Sequence, residues 1–164
     1  YHLTDQVLYM NEFKSWFSEK NLKMMDAHWN GLPHRFGLFG VNGEVRPNYF
    51  IYWFLTLMGG KRVNVACKDE DIRLIAVKGD KCTSVFLVNF NITSARDVIV
   101  EFRFFNMKEG VKNLTVYRID DNSKWSNEDL EIYPNEKREV YTIPGFYCQI
   151  YMPANSVALV KIEG

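Results

Sequence analysis

The sequence predicts a mainly β chain: an antiparallel β-sandwich preceded by an α/β segment of helix, strand and helix. Three observations carry that expectation. Residues 5–20 space their apolar side chains at helical period, and from Lys61 onward apolar and polar residues alternate in short runs bounded by turn residues. Between the two patterns lies a glycine-studded stretch, His34 to Leu55, that runs into a second helix.

Taken in order, Asp5 to Lys20 sets Val7, Leu8, Phe13, Trp16 and Phe17 near one face, with Glu12, Lys14, Glu19 and Lys20 on the wetter side and Thr4 or Asp5 able to cap. Asn21 stops that helix, and Leu22 to Trp29 is an apolar run of strand length. A loop with Gly31, Pro33, Gly37, Gly40 and Gly43 follows. Pro47 then suits the first turn of a helix carrying Tyr49, Phe50, Tyr52, Trp53, Phe54, Leu55, Leu57 and Met58, closed by Gly59-Gly60 as a left-handed cap. A lone strand with a helix on either side has unpaired edges, so residues 1–60 need more sheet from elsewhere.

Residues 61–164 read as a second unit. Strands are expected near Arg62–Cys67, Ile72–Val77, Thr83–Asn89, Asp97–Phe105, Leu114–Ile119, Glu139–Ile143, Phe146–Met152 and Val157–Ile162, with Gly79-Asp80, Asn106 to Gly110, Asp120 to Ser123, Pro144-Gly145 and Pro153 to Asn155 as turns. Short strands at this spacing argue for a sandwich. In Val98 to Phe104 the apolar residues fall on one face, while Glu101 and Arg103 interrupt the other.

Composition narrows the function classes. With 20 basic and 20 acidic residues and no block of either sign, nothing tracks a phosphate backbone, so nucleic acid is not expected as a partner. No apolar run is long enough for a membrane span. Aromatic residues at 15% suit a thick β core or a surface that stacks on sugars. Cys67, Cys82 and Cys148 lack CxxC spacing, which leaves one disulfide plus a free thiol open and suggests no zinc site; no metal or cofactor is expected. Asn91-Ile92-Thr93 and Asn113-Leu114-Thr115 are glycosylation sequons, which tilt localisation toward a secreted or lysosomal protein over a cytoplasmic one.

Candidate chemistry is sparse. Asp26, Glu44 and the Asp120-Asp121 pair are the carboxylates that could be offered as general acid and base, but sequence spacing cannot place two of them about a glycosidic bond, and Asp120-Asp121-Asn122 is a turn signature. His28, Trp29, His34 and Arg35 form the stronger group, because the end of a parallel strand and the loop after it are where α/β folds place their sites. Trp29 could stack on a sugar ring while His28, His34 and Arg35 hydrogen-bond hydroxyls or a carboxylate; packing of the Trp under the loop is the plain alternative. No nucleophile elbow, phosphate loop or HExxH motif is present.

The joint segment carries a resemblance. His34-Arg35-Phe36-Gly37-Leu38-Phe39, Asn42-Gly43, Arg46-Pro47-x-Tyr49 and Leu55 before Gly59 resemble the passage that leaves the last strand of clan A glycoside hydrolases, most closely family 39, which holds β-xylosidases and α-L-iduronidases. The run Met152 to Val160, with its Pro153 and Ser156-Val157, and the run Tyr117 to Asp120, with Asn122-Ser123 and Trp125, are similar to segments of the sandwich that follows the barrel there. The resemblance implies that residues 1–60 end a (β/α)8 barrel, that Trp29 lines a sugar subsite, and that an oligo- or polysaccharide is the substrate. It also implies that both catalytic carboxylates lie upstream, so that this chain holds no catalytic residue, is inactive alone, and needs the remainder of the barrel from the same polypeptide or a separate chain. Two other readings compete: a carbohydrate-binding sandwich using Trp125, Tyr133, Tyr147 or Tyr151, and a purely structural sandwich packed through the aromatic second helix.

Overall fold

The computed structural model describes residues 38–40, 42–91 and 93–164. The expected first helix (5–20) and the strand Leu22 to Trp29 lie outside those residues. The helix after Pro47 is α1, Pro47–Thr56. Ten strands follow: β1 (Lys61–Val63), β2 (Ile72–Lys78), β3 (Cys82–Asn89), β4 (Val98–Phe104), β5 (Gly110–Ile119), β6 (Trp125–Ser126), β7 (Glu131–Ile132), β8 (Glu136–Thr142), β9 (Phe146–Met152) and β10 (Ser156–Glu163).

Six strands form one antiparallel sheet in the order β1-β2-β3-β10-β5-β8, and β4 pairs with β9 in a separate ribbon. Tight turns move the chain between layers. Pro144-Gly145, with Gly145 at φ 84 and the Phe146 N–H donating to the Ile143 carbonyl at 2.9 Å, takes β8 in the large sheet to β9 in the ribbon. Pro153 to Asn155, with Asn155 at φ 53, returns the chain to β10.

β3 and β10 sit at the centre of the large sheet and are covered on both faces, which explains why Val85-Phe86-Leu87-Val88 and Val157 to Val160 are continuous apolar runs and not alternating ones. On one face Val85, Leu87, Leu114, Val116, Ala158 and Val160 meet the inward side chains of the ribbon: Phe102, Phe146, Cys148, Ile150 and Met152. On the other face Phe86, Val88, Ile119, Val157 and Leu159 meet Phe50, Ile51 and Phe54 of α1. The short β6–β7 ribbon brings Trp125 and Ile132 against the same cluster, with the Trp125 ring 5.5 Å from Phe50.

The structure departs from the sequence expectation in several places. β6 and β7 are two residues each, below the length at which alternation can be read. β1 stops at Val63, and β8 begins at Glu136, three residues earlier than the apolar pattern suggested, because its first residues pair with β5 while facing solvent. Gly59-Gly60 is not a left-handed cap. α1 ends through Leu57 in right-handed geometry, its N–H donating to Trp53 and Phe54 carbonyls at 3.2 Å each, and Gly60 takes φ 133 further on. Gly60 is needed for close approach, since a Cβ there would lie 2.5 Å from the Lys78 carbonyl and the Gly79 nitrogen. All three cysteines are free, Cys67 exposed, Cys82 half-buried and Cys148 buried, so the disulfide left open by the sequence does not form in this fold.

Candidate functional site

His28, Trp29, His34 and Arg35, and with them Asp26, lie outside the described residues. What is described is the path from that loop into α1. Phe39 and Val45 form an antiparallel bridge, the Arg46 N–H donates to the Leu38 carbonyl at 3.0 Å, and Gly40 donates to the Glu44 carbonyl at 2.9 Å. Gly43, at φ 83, makes the reversal. The Glu44 carboxylate folds back across the loop, accepting the Asn42 N–H at 3.0 Å and lying where a Cβ on Gly40 would be, 1.6 Å from its oxygen. Glu44 therefore anchors its own loop. Val45 is tied to the β6–β7 turn through its N–H to Asn127 Oδ1 at 3.0 Å, which fixes the loop to the sandwich.

Asp120 belongs to a turn, as its sequence suggests. It pairs with Arg118 Nε, accepts the Asn122 N–H at 2.8 Å, and its own N–H donates to Ser123 Oγ at 2.6 Å. Every bond here closes the turn or ties it to β5, and the Asp120 side chain is only 4% exposed, so the carboxylate is spent on the turn. No cluster of three or more metal-ligating side chains occurs among the described residues.

Polar and aromatic groups do come together on the outer face of the β4–β9 ribbon. The register sets Ile99 opposite Tyr151, Glu101 opposite Gln149 and Arg103 opposite Tyr147. Tyr147 Oη donates to Glu101 Oε1 at 2.6 Å, and Gln149 Nε2 donates to the same oxygen at 2.9 Å and to Tyr147 Oη at 2.7 Å. Tyr151 Oη donates to Asp97 Oδ2 at 2.5 Å, while Asp97 Oδ1 accepts the Ala154 N–H at 2.9 Å. The Arg118 guanidinium lies 5.6 Å from the centre of the Tyr151 ring. These bonds favour the charged carboxylates and the neutral phenols. The Tyr147 and Gln149 bonds hold Glu101 below its usual range, and the Tyr151 bond, then the Ala154 N–H, do the same for Asp97. Tyr147 is raised by its bond to Glu101, and Tyr151 by its bond to Asp97.

Of the four aromatics the sequence offered as a sugar platform, Tyr147 (43% exposed), Tyr151 (48%) and Tyr133 (56%) are on the surface. Trp125 is half-buried, with its ring packed on α1 5.5 Å from Phe50. Only Tyr147 and Tyr151 share a face. Glu101, Gln149 and Asp97, which fix the two rings, were missed; the alternation of β4 and β9 was visible, but the register joining residues 46 and 54 positions apart was not. Of the two sequon asparagines, Asn113 is exposed on β5. Asn91 is engaged, its Nδ2 donating to Asp71 Oδ1 at 2.6 Å and its Oδ1 accepting the Thr93 and Ser94 N–H groups at 2.9 Å each.

No protein-family model matches the chain, and no curated protein does. Solved structures do. A monomeric β-xylosidase from Caulobacter crescentus CB15 matches with a TM-score of 0.63 and 18% identity, over 85% of this chain and 34% of that one. The GH39 enzyme from Xanthomonas axonopodis pv. citri gives 0.60 and 17%, over 77% and 32%. A GH30 endoxylanase from Clostridium papyrosolvens C71 gives 0.58 and 20%, over 83% and 32%. The chain thus spans about a third of the length of the solved chains it matches, mostly their C-terminal part. At these identities the likeness is one of fold: a helix followed by a mainly β sandwich, as found at the C-terminal end of clan A glycoside hydrolases.

Proposed function

We propose that this chain is the C-terminal portion of a glycoside hydrolase, in which residues 1–60 complete a (β/α)8 barrel, the sandwich packs against it, and the catalytic carboxylates lie upstream. The observation that carries this is α1. Among its ten residues, Pro-Asn-Tyr-Phe-Ile-Tyr-Trp-Phe-Leu-Thr, only Thr56 is exposed, and the other polar residue, Asn48, is 5% exposed. A helix that is apolar on every side needs cover on every side. The sheet covers Phe50, Ile51 and Phe54, Phe39 lies 5.5 Å from Tyr49, and the half-buried flank bearing Tyr49 and Tyr52 is where the outer wall of a barrel would pack.

The substrate we expect is an oligo- or polysaccharide, with His28, Trp29, His34 and Arg35 contributing to a sugar subsite. The sequon at Asn113, exposed on β5, favours a secretory or lysosomal location. Aryl β-xylosides are the first substrates to try, since xylosidase and xylanase are the names of two proteins sharing the fold. The complete encoded polypeptide should turn them over and the 164-residue chain should not. Turnover by the short chain, abolished by replacing one of its own carboxylates, would overturn the proposal.

One observation favours a second reading, a carbohydrate-binding sandwich: Tyr147 and Tyr151, two residues either side of Gln149, present rings held by carboxylates on one exposed face. Retardation in xylan-containing gels, lost in the Tyr147→Ala/Tyr151→Ala double variant, is the result that reading requires.

A further inference from the structure

The large sheet carries an apolar pair in the open. Val111 of β5 and Tyr141 of β8 stand opposite each other in the register and are 63% and 59% exposed. Alternation along β5 fixes their side of the sheet: Tyr117 meets Trp53 and Phe54 of α1, and Thr115, Asn113 and Val111 follow at every second residue on that same face. Four residues of strand carry Asn113 about 13 Å past Tyr117, toward the end of the sheet that α1 leaves uncovered. The Tyr141 ring is anchored there, its Oη donating to Glu109 Oε1 at 2.7 Å. Beside the pair lies Asn113, the exposed asparagine of Asn113-Leu114-Thr115. It is two residues from Val111 and directly opposite Glu139, which makes Tyr141 its diagonal neighbour across the strands, a separation of about 7–8 Å that an aromatic side chain spans. Asn91, in the other sequon, is placed differently: its amide is committed to Asp71 Oδ1 at 2.6 Å and its oxygen to the turn that follows.

We infer that Asn113 is an acceptor for an N-linked glycan, and that the first N-acetylhexosamine of that glycan packs on Tyr141 and Val111. The donor is an oligosaccharide on a polyprenyl diphosphate. The bond from the sugar C1 to the diphosphate oxygen breaks, a bond from C1 to Asn113 Nδ2 forms, one Nδ2 proton is lost, and the polyprenyl diphosphate departs. Transfer takes place on the extended chain before folding, so the burial of Thr115 in the finished sheet does not oppose it. Once the sheet forms, the sugar's apolar face has an anchored ring and an aliphatic side chain beside it, and the exposed pair gains its cover. This rests on the proposed location, because a secretory compartment supplies the donor. It also sets a boundary: a bulky hydrophilic chain at Asn113 keeps any layer that packs on α1 from extending over β8, the outermost strand.

The complete encoded polypeptide, led into the secretory pathway of a yeast by that host's own signal, tests both parts. Enzymatic deglycosylation in heavy-oxygen water followed by peptide mass spectrometry should show Asn113 converted to labelled Asp. A bare Asn113, or a glycan on Asn91 alone, overturns the inference. Packing is read from the rate at which the amidase releases the glycan from the folded protein. Tyr141→Ala should release it about fivefold faster than the parent, the factor that a ring contact of ordinary strength is worth. Ile99→Ala, similarly exposed but on the outer face of the ribbon, should release it at the parental rate. No gain in Tyr141→Ala, or the same gain in both variants, overturns the packing. Fractionation of the source cells reads the location by itself: a cytoplasmic protein fails the proposed location and leaves the acceptor standing, whereas a secreted protein with a bare Asn113 does the reverse.

Discussion

Replacing Phe54 by alanine tests whether α1 is an integral layer of the fold. The Phe54 ring is fully buried, 6.5 Å from Phe86 of β3, 6.2 Å from Tyr117 of β5 and 5.9 Å from Trp53. Truncating a buried Phe removes its transfer free energy and leaves a cavity, together about 3–5 kcal/mol. The middle of that range, about 4 kcal/mol, applies here, because a helix docked on a sheet can settle slightly where a strand at the sheet centre cannot. For a chain of this size each kcal/mol moves the midpoint by about 2–4 °C, so Tm should fall by about 8–16 °C. Urea titration followed by Trp fluorescence and by far-UV circular dichroism gives the free energy and shows whether both probes move together. Phe105→Ala serves as control: that ring is 75% exposed and should change stability by less than about 0.5 kcal/mol. A Phe54→Ala cost below about 1 kcal/mol would refute the docking of α1 on the sheet, and with it the reading of residues 45–58 as the link between sandwich and barrel.

Asn89, 2% exposed, donates through Nδ2 to the carbonyls of Arg96 at 2.8 Å, Met152 at 3.1 Å and Pro153 at 2.8 Å, so it ties two crossovers together. Asn89→Leu strands those carbonyls and should cost about 1–3 kcal/mol by chemical denaturation. Glu101 has a folded pKa below its ordinary value of 4.5, so its contribution to stability is fully present above that pH and is lost as pH falls through the lower folded value. Tm measured from pH 6 to pH 2 should therefore fall less steeply below about pH 4.5 in Glu101→Gln than in the parent; equal slopes would disprove the pairing. Burial pushes the Cys148 thiol up to about 11, so at pH 8 a disulfide reagent should label Cys67 rapidly and Cys148 only on unfolding. Gly60→Ala, which sets a Cβ 2.5 Å from the Lys78 carbonyl at φ 133, should destabilise the chain by about 1–3 kcal/mol in thermal melts.

Much of the fold was legible because its signals are local. Pro47 starts α1 and the aromatic run defines it, and Pro144-Gly145 is the turn its composition promises, positive φ included. The eight strands read from alternation reappear within a few residues of their places. What alternation cannot express is which strands are neighbours. β10, last in sequence, lies between β3 and β5, and β8 and β9, adjacent in sequence, lie in different layers. Nor does a pattern of period two distinguish a strand covered on one face from a central strand covered on both; the continuous runs in β3 and β10 did carry that information.

The exposed tyrosines show why a site is harder to read than a fold. Tyr133, Tyr147 and Tyr151 look alike in sequence, three aromatics in polar alternation near turns. Pairing separates them. Tyr147 and Tyr151 meet carboxylates on β4 and just before it, which orient their hydroxyls and hold their rings on one face, while Tyr133 leaves β7 with 56% of its surface in solvent and shares no such partner face. The same pairing places Ile99, 63% exposed, beside Tyr151. Glycan retention should survive substitutions on the inward side of β4, such as Val100→Ala, and disappear with loss of Tyr147 and Tyr151.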